Sequence, residues 1–232
     1  GARAIKEFEQ YGIPPVSFAV AGRQRELSAW EGLARGEHEG FLYARNTPSG
    51  SVETLEARIA ELEGADCGVA FSSGMAAISG VAMALLEPGK RVVVGKDTYG
   101  GASRLFTHLL PKWGVDVAMV DTTDEPAFCT AIESGCDLLY LETPSNPMLK
   151  LQDIGKLSHW AHAVGGVVVI DSTVATPVNQ KPLSFGADVV IHSATKFLGG
   201  HADALGGVVS TTSAQARVLR THRDIYGACL DP

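Results

Sequence analysis

The chain has 232 residues, of which 45% are hydrophobic and 19% charged, enough to bury one sizeable core. Its net charge of -7, from 26 acidic and 19 basic residues, gives no support for nucleic acid or an acidic membrane surface as partner. No apolar run nears the ~20 residues that span a bilayer, and the opening Gly-Ala-Arg-Ala-Ile-Lys does not read as a signal peptide.

Residues 1–49 read as an N-terminal arm and loop, and residues 50–232 as one α/β domain. Pro14 and Pro15 keep the arm extended around residues 12–16, and residues 27–33 fit a short helix. The loop 40–48 ends in turn formers. A helix is predicted over residues 51–63, with Ser51 as N-cap, Val52, Leu55, Ile59 and Leu62 on the buried face, and Gly64 as stop. From there strands and helices alternate. Strands are predicted at 67–71, 91–94, 115–120, 137–142, 167–171, 189–193 and 206–210. Helices are predicted at 76–86, 101–110, 125–133, 154–164 and 214–226. Apolar strands alternating with helices predict a mainly parallel sheet covered on both faces. Cys67, Cys129, Cys136 and Cys229 show no C-x-x-C pairing and no zinc-like spacing, which fits a reducing compartment, the cytoplasm. The chain lacks an initiator Met and stops just after a helical pattern, as an excised domain or partial chain would.

Ligands of such sheets bind beyond the carboxyl ends of the strands. There the sequence collects Ser72-Ser73-Gly74-Met75, Glu142-Thr143-Pro144-Ser145-Asn146-Pro147, Asp171-Ser172-Thr173 and His192-Ser193-Ala194-Thr195-Lys196. Each piece has a plain reading: an N-cap, a turn, a strand-end carboxylate, a solvated lysine. Each also has a chemical one. Free N–H groups at a helix start, with Gly74 allowing close approach, bind an anion, and the Ser193 and Thr195 hydroxyls add donors. Asp171 can keep a ring nitrogen protonated. Lys196, partly desolvated at a sheet edge, can act as a nucleophile. Phosphate site, ring-nitrogen partner and amine together are what pyridoxal 5′-phosphate requires, with Lys196 holding its aldehyde as a Schiff base. Neither a P-loop nor a strand-linked G-x-G-x-x-G is present, so a nucleotide-dependent oxidoreductase is the weaker reading. His159 and His162, three apart on a helix, lack a third ligand and read as a solvated face, so no metal is expected. His201 reads as a loop residue.

The chain resembles the Cys/Met-metabolism branch of fold-type I pyridoxal-phosphate enzymes, which includes cystathionine γ-synthase, cystathionine β- and γ-lyases, methionine γ-lyase and the O-acylhomoserine sulfhydrylases. The resemblance rests on Tyr43-Ala44-Arg45, Leu55-Glu56, Leu62-Glu63-Gly64, Ser73-Gly74-Met75-Ala76, Asp97-Thr98-Tyr99-Gly100-Gly101, the Glu142–Pro147 and Asp171–Thr173 pieces, and the run from His192 to Asp203. It implies the large-domain fold of that class. It implies Lys196 as Schiff-base lysine and proton shuttle, Asp171 at the pyridinium nitrogen, and Tyr99 on the ring and near the leaving group. It places Ser73, Gly74, Met75, Ser193 and Thr195 at the phosphate, with Thr173 beside the cofactor and Asn146 near its phenolic oxygen. Tyr43 and Arg45 would reach the phosphate of a neighbouring subunit, in a homodimer or dimer of dimers. Ala44 stands where the family has Ser or Thr, and Asn46-Thr47-Pro48 replaces Asn-Pro-Thr. The family's smaller C-terminal domain, with an arginine for the substrate carboxylate, lies beyond this chain. The role of Glu142 is left open.

The implied activity is carbon–sulfur bond cleavage in a sulfur-containing L-amino acid, by α-proton abstraction and β- or γ-elimination. The alternatives are a γ-replacing transferase, a cysteine-lyase domain from an assembly-line synthase, and a non-catalytic protein that keeps the fold.

Overall fold

Five-residue runs of β-branched and aliphatic residues, each too short for a helix and bounded by turn formers, build the sheet. The computed structural model describes residues 16, 21, 26–35, 43–46 and 50–232. Apart from Val16, the expected arm at 12–16 lies outside the described residues, as do 40–42 and 47–48 of the expected loop. The elements are α1 (Leu27–Ala34), α2 (Gly50–Glu63), β1 (Cys67–Phe71), α3 (Gly74–Leu85), β2 (Arg91–Gly95), α4 (Gly100–Arg104), β3 (Asp116–Val120), α5 (Glu125–Glu133), β4 (Leu138–Glu142), α6 (Ile154–Ala163), β5 (Val167–Asp171), α7 (Thr176–Asn179), β6 (Val189–Ser193), β7 (Gly207–Thr211) and α8 (Ser213–Tyr226).

The sheet order is β1-β7-β6-β5-β4-β2-β3. The block from β6 to β3 is parallel, while β7 runs antiparallel to both β6 and β1. All strands except β7 therefore end at one edge. Val92, Val94, Tyr140, Val169 and Ile191 pack with α3, α4 and α8 on one face; Val93, Leu139, Leu141, Val168 and Ile170 pack with α5 and α6 on the other. Burying each such side chain contributes roughly 1.5–3 kcal/mol, so this double cover fixes the edge on which chemistry can collect.

Three expectations need correction. The helix expected from Ser51 starts at Gly50, so Ser51 lies within its first turn. Its buried face is Val52, Glu56, Ile59, Ala60 and Glu63, while Leu62 is exposed. Leu55 is half-buried against Val52 and Ile59 as expected, and Glu56 joins the buried face because it has partners. It accepts from Ala70 N at 2.8 Å, Arg220 Nη2 at 2.9 Å and Arg223 Nη1 at 3.1 Å, joining α2 to β1 and α8. Glu63 pairs with fully buried His192 on β6 at 2.5 Å. Finally, the helix expected over 101–110 is short. It changes after Arg104 into a wider turn at Leu105–Leu109 and a tight one at Leu110–Trp113, where Pro111 supplies no amide hydrogen.

Candidate active site

Ser73 caps α3, its hydroxyl accepting from Ala76 N at 3.0 Å, so this oxygen is already committed. The N–H groups of Gly74 and Met75 belong to the first turn and have no partner within the helix. A Cβ at Gly74 would sit 2.7 Å from Ser193 Cβ and 2.8 Å from Ser193 Oγ. Only a glycine lets this helix start lie so close to the end of β6. The two form a cradle of amides and a hydroxyl, suited to an anion. Thr195 is differently used: its hydroxyl donates to Gly206 O at 3.2 Å and accepts from Gly206 N at 3.1 Å, closing the loop before β7.

Asp171 ends β5 and is 5% exposed. Oδ1 accepts from Thr173 N at 3.0 Å and Thr173 Oγ1 at 2.6 Å, and Oδ2 from the Tyr140 hydroxyl at 3.3 Å. Burial pushes its carboxyl above the usual range, against the pull of the Thr173 bonds and the His192 charge. It has no salt bridge among the described residues, and a buried carboxylate without one is costly to ionise. Thr173 Oγ1 also accepts from Ser193 N at 2.8 Å, tying the loop after β5 to the cradle. Lys196 is exposed in the wide turn Ala194–Leu198 that follows β6, where its backbone leaves helical geometry (φ -92°, ψ -123°).

Glu142 ends β4, in register with Asp171. Burial, then the Asp171 charge, pushes its carboxyl up to about 7. Its Oε2 accepts from Thr98 Oγ1 at 2.9 Å and Tyr99 N at 2.6 Å, and its Oε1 from Asn146 N at 2.9 Å. The Tyr99 ring is 47% exposed, and Asn146 is exposed. Tyr43 and Arg45 stack, the guanidinium 5.6 Å from the ring centroid, and Arg45 donates to Asp224 O at 2.9 Å. His162 pairs with Asp188 at 2.9 Å, and His201 Nδ1 lies 3.0 Å from Gly199 O.

Sequence reasoning missed Tyr140. Burial and the Asp171 charge push its phenol well above the usual value, so it stays a neutral donor. A hydroxyl inside the apolar run Leu138-Leu139-Tyr140-Leu141 was the available signal, because a buried phenol needs a partner.

The family model described as Cys/Met metabolism PLP-dependent enzyme matches residues 7–232. The chain belongs to that family. It is 42% identical over 190 residues to cystathionine gamma-lyase of Bacillus subtilis (strain 168), covering 82% of this chain and 50% of that protein. It is 40% identical over 223 residues to L-methionine gamma-lyase of Pseudomonas deceptionensis, covering 95% and 56%. The crystal structure of cystathionine gamma synthase from Xanthomonas oryzae pv. oryzae in complex with cystathionine superposes with a TM-score of 0.88 at 34% identity, covering 99% of this chain and 58% of that one. The chain spans about half the length of the curated relatives it matches. The residues present fit the family's pyridoxal phosphate: an anion cradle that a Cβ would fill, a buried carboxylate without a salt bridge among the described residues, and an exposed lysine share one sheet edge.

Proposed function

We propose that the protein is a pyridoxal-phosphate-dependent carbon–sulfur lyase acting on a sulfur-containing L-amino acid by β- or γ-elimination. The observation that carries this is Asp171, a buried carboxylate without a salt bridge among the described residues, set beside the Gly74–Ser193 cradle and the Lys196 turn. When bound, the cofactor supplies an aldehyde for amines and a cationic ring that takes up negative charge from the substrate α-carbon.

The residues divide the remaining work. Gly74 N, Met75 N and Ser193 Oγ hold the phosphate, and Thr195 joins them if its bond to Gly206 opens. Asp171 keeps a proton on the ring nitrogen, and Thr173 and Tyr140 hold the carboxylate in place. Lys196 Nζ would hold the cofactor's aldehyde and, when free, would take the substrate α-proton. Tyr99 would stack on the cofactor ring and could donate its hydroxyl proton toward the departing sulfur. Asn146 would lie near the cofactor's phenolic oxygen. Tyr43 and Arg45 serve the phosphate of a second copy in a homodimer or dimer of dimers. Four free thiols agree with a cytoplasmic setting.

The test is product analysis of the loaded enzyme with cystathionine, cysteine, methionine and O-acylhomoserines, scoring keto acid, ammonia and thiol. Borohydride reduction followed by peptide mapping locates the cofactor, expected on Lys196. Keto acid from none of these substrates sinks the lyase reading. A new thioether formed from O-acylhomoserine plus a thiol, without keto acid, makes the protein a γ-replacing transferase like its cystathionine gamma-synthase relative.

A further inference from the structure

We infer that Glu142 is a positioning residue that holds the Tyr99 backbone against the Asn146 turn and thereby sets where the Tyr99 ring stands over the site. The inference rests on the proposed function for the role of the ring, and on geometry for the link itself.

Tyr99 is nearly half exposed, so packing fixes its ring only in part. On one side it lies over Gly101, where an added Cβ would fall 2.7 Å from the ring edge and 2.7 Å from Met75 Sδ. Gly101 itself contributes no side chain to hold the ring there. The hydroxyl of Tyr99 makes no hydrogen bond among the described residues. What remains is the backbone, and its amide donates to Glu142 Oε2 at 2.6 Å. The adjoining Thr98 hydroxyl donates to the same oxygen, and Asn146 N to the other. Three donors from two separate loops therefore converge on one carboxylate that is 5% exposed. Lys150 and Asp97 bridge the same loops at 2.7 Å, but at a part-exposed rim where an ion pair contributes little. Hydrogen bonds to a buried charged group are the stronger kind, and an amide left without its acceptor is destabilised.

The experiment compares the holoenzyme with Glu142→Gln, which turns one acceptor oxygen into a donor facing backbone amides. The expected result is near-normal cofactor content, an altered visible circular dichroism of the bound cofactor, and kcat lower by about tenfold, equivalent to about 1.4 kcal/mol of barrier. Glu142→Asp should restore part of kcat. In a Tyr99→Ala background the Glu142→Gln loss should largely vanish, because no ring remains to be misplaced. Unchanged kcat and dichroism, or losses that add in full, overturn the inference.

Should Glu142→Gln fail to fold, Thr98→Val removes one donor to the same oxygen and should shift the dichroism in the same direction; no shift overturns it. Amide hydrogen exchange provides a readout independent of the cofactor. Protection at Tyr99 and Asn146 should fall together in Glu142→Gln, and retained protection refutes the link. An unmutated protein that takes up no pyridoxal phosphate would sink the proposed function, while the exchange measurement still decides the link.

Discussion

Glu142 and Asp171 stand in register at the ends of neighbouring parallel strands, two buried carboxylates with no salt bridge among the described residues. Burial, and then the Asp171 charge, makes Glu142 harder to ionise, and burial does the same for Asp171. A carboxyl whose pKa is higher in the folded state binds its proton more tightly there, so ionising it destabilises the fold. For Glu142 the penalty is absent below the ordinary value of 4.5, grows as pH rises toward about 7, and is complete above that. It amounts to about 3 kcal/mol, one pKa unit being worth about 1.4 kcal/mol. Urea unfolding of the cofactor-free protein should show lower stability at pH 8 than at pH 5, and Glu142→Gln should shrink the difference. Asp171 moves stability in the same direction, so the variant comparison isolates Glu142. An equal difference in both proteins would contradict this assignment.

Asp171 itself should show function opposed to stability. Without a cationic ring, its buried charge has Thr173, Tyr140 and the field of His192 to rely on. Asp171→Asn keeps the shape and one acceptor and removes the charge. Thermal melting of the cofactor-free variant should therefore match or exceed that of the parent. Its kcat should fall by about 10²-fold or more, the range in which groups that govern proton placement act. A variant that melts lower and works normally would show Asp171 to be structural.

The Glu56–Arg223 pair is a purely structural counterpart. Arg223 is 3% exposed and bridges Glu56 and Ala70 O, so it fastens α8 to α2 and β1. Arg223→Met leaves Glu56 buried with a weakened set of partners, although Arg220 and Ala70 N remain. Breaking a buried pair from one side costs about 3–5 kcal/mol. Chemical denaturation should show most of that loss. A change within the scatter of surface mutations would mean that Arg220 compensates.

Much of the site was legible because it depends on strand order alone. Once β5 and β6 are read as parallel strands, Asp171 and Lys196 must end at one edge, and the Gly74 turn joins them. What stayed hidden depends on partners far along the chain. Glu56 meets Arg223 across 167 positions, so nothing near residue 56 marks it as buried. Glu142 finds Thr98 and Tyr99 more than 40 positions earlier, and Tyr140 meets Asp171 31 positions later. The antiparallel β7 was equally hidden, since an apolar strand buried on both faces reads the same in either direction.

The Gly74 cradle gives the cleanest separation of phosphate binding from everything else. Gly74→Ala places a methyl where Ser193 Cβ and Oγ already stand, so the start of α3 and the end of β6 must part by several tenths of an ångström. Helix propensity favours alanine by about 1 kcal/mol within a helix interior, and less at its first turn, so folding should survive. The amides of Gly74 and Met75 would then sit too far from Ser193 Oγ to grip one phosphate together. Affinity for pyridoxal phosphate should drop about tenfold, a loss of about 1.4 kcal/mol. Affinity for pyridoxal, which lacks the phosphate, should change little. Fluorescence titration with both compounds reads the difference directly. An equal loss for both would place the damage at the ring or at Lys196, and no loss for either would remove the helix start from the binding site.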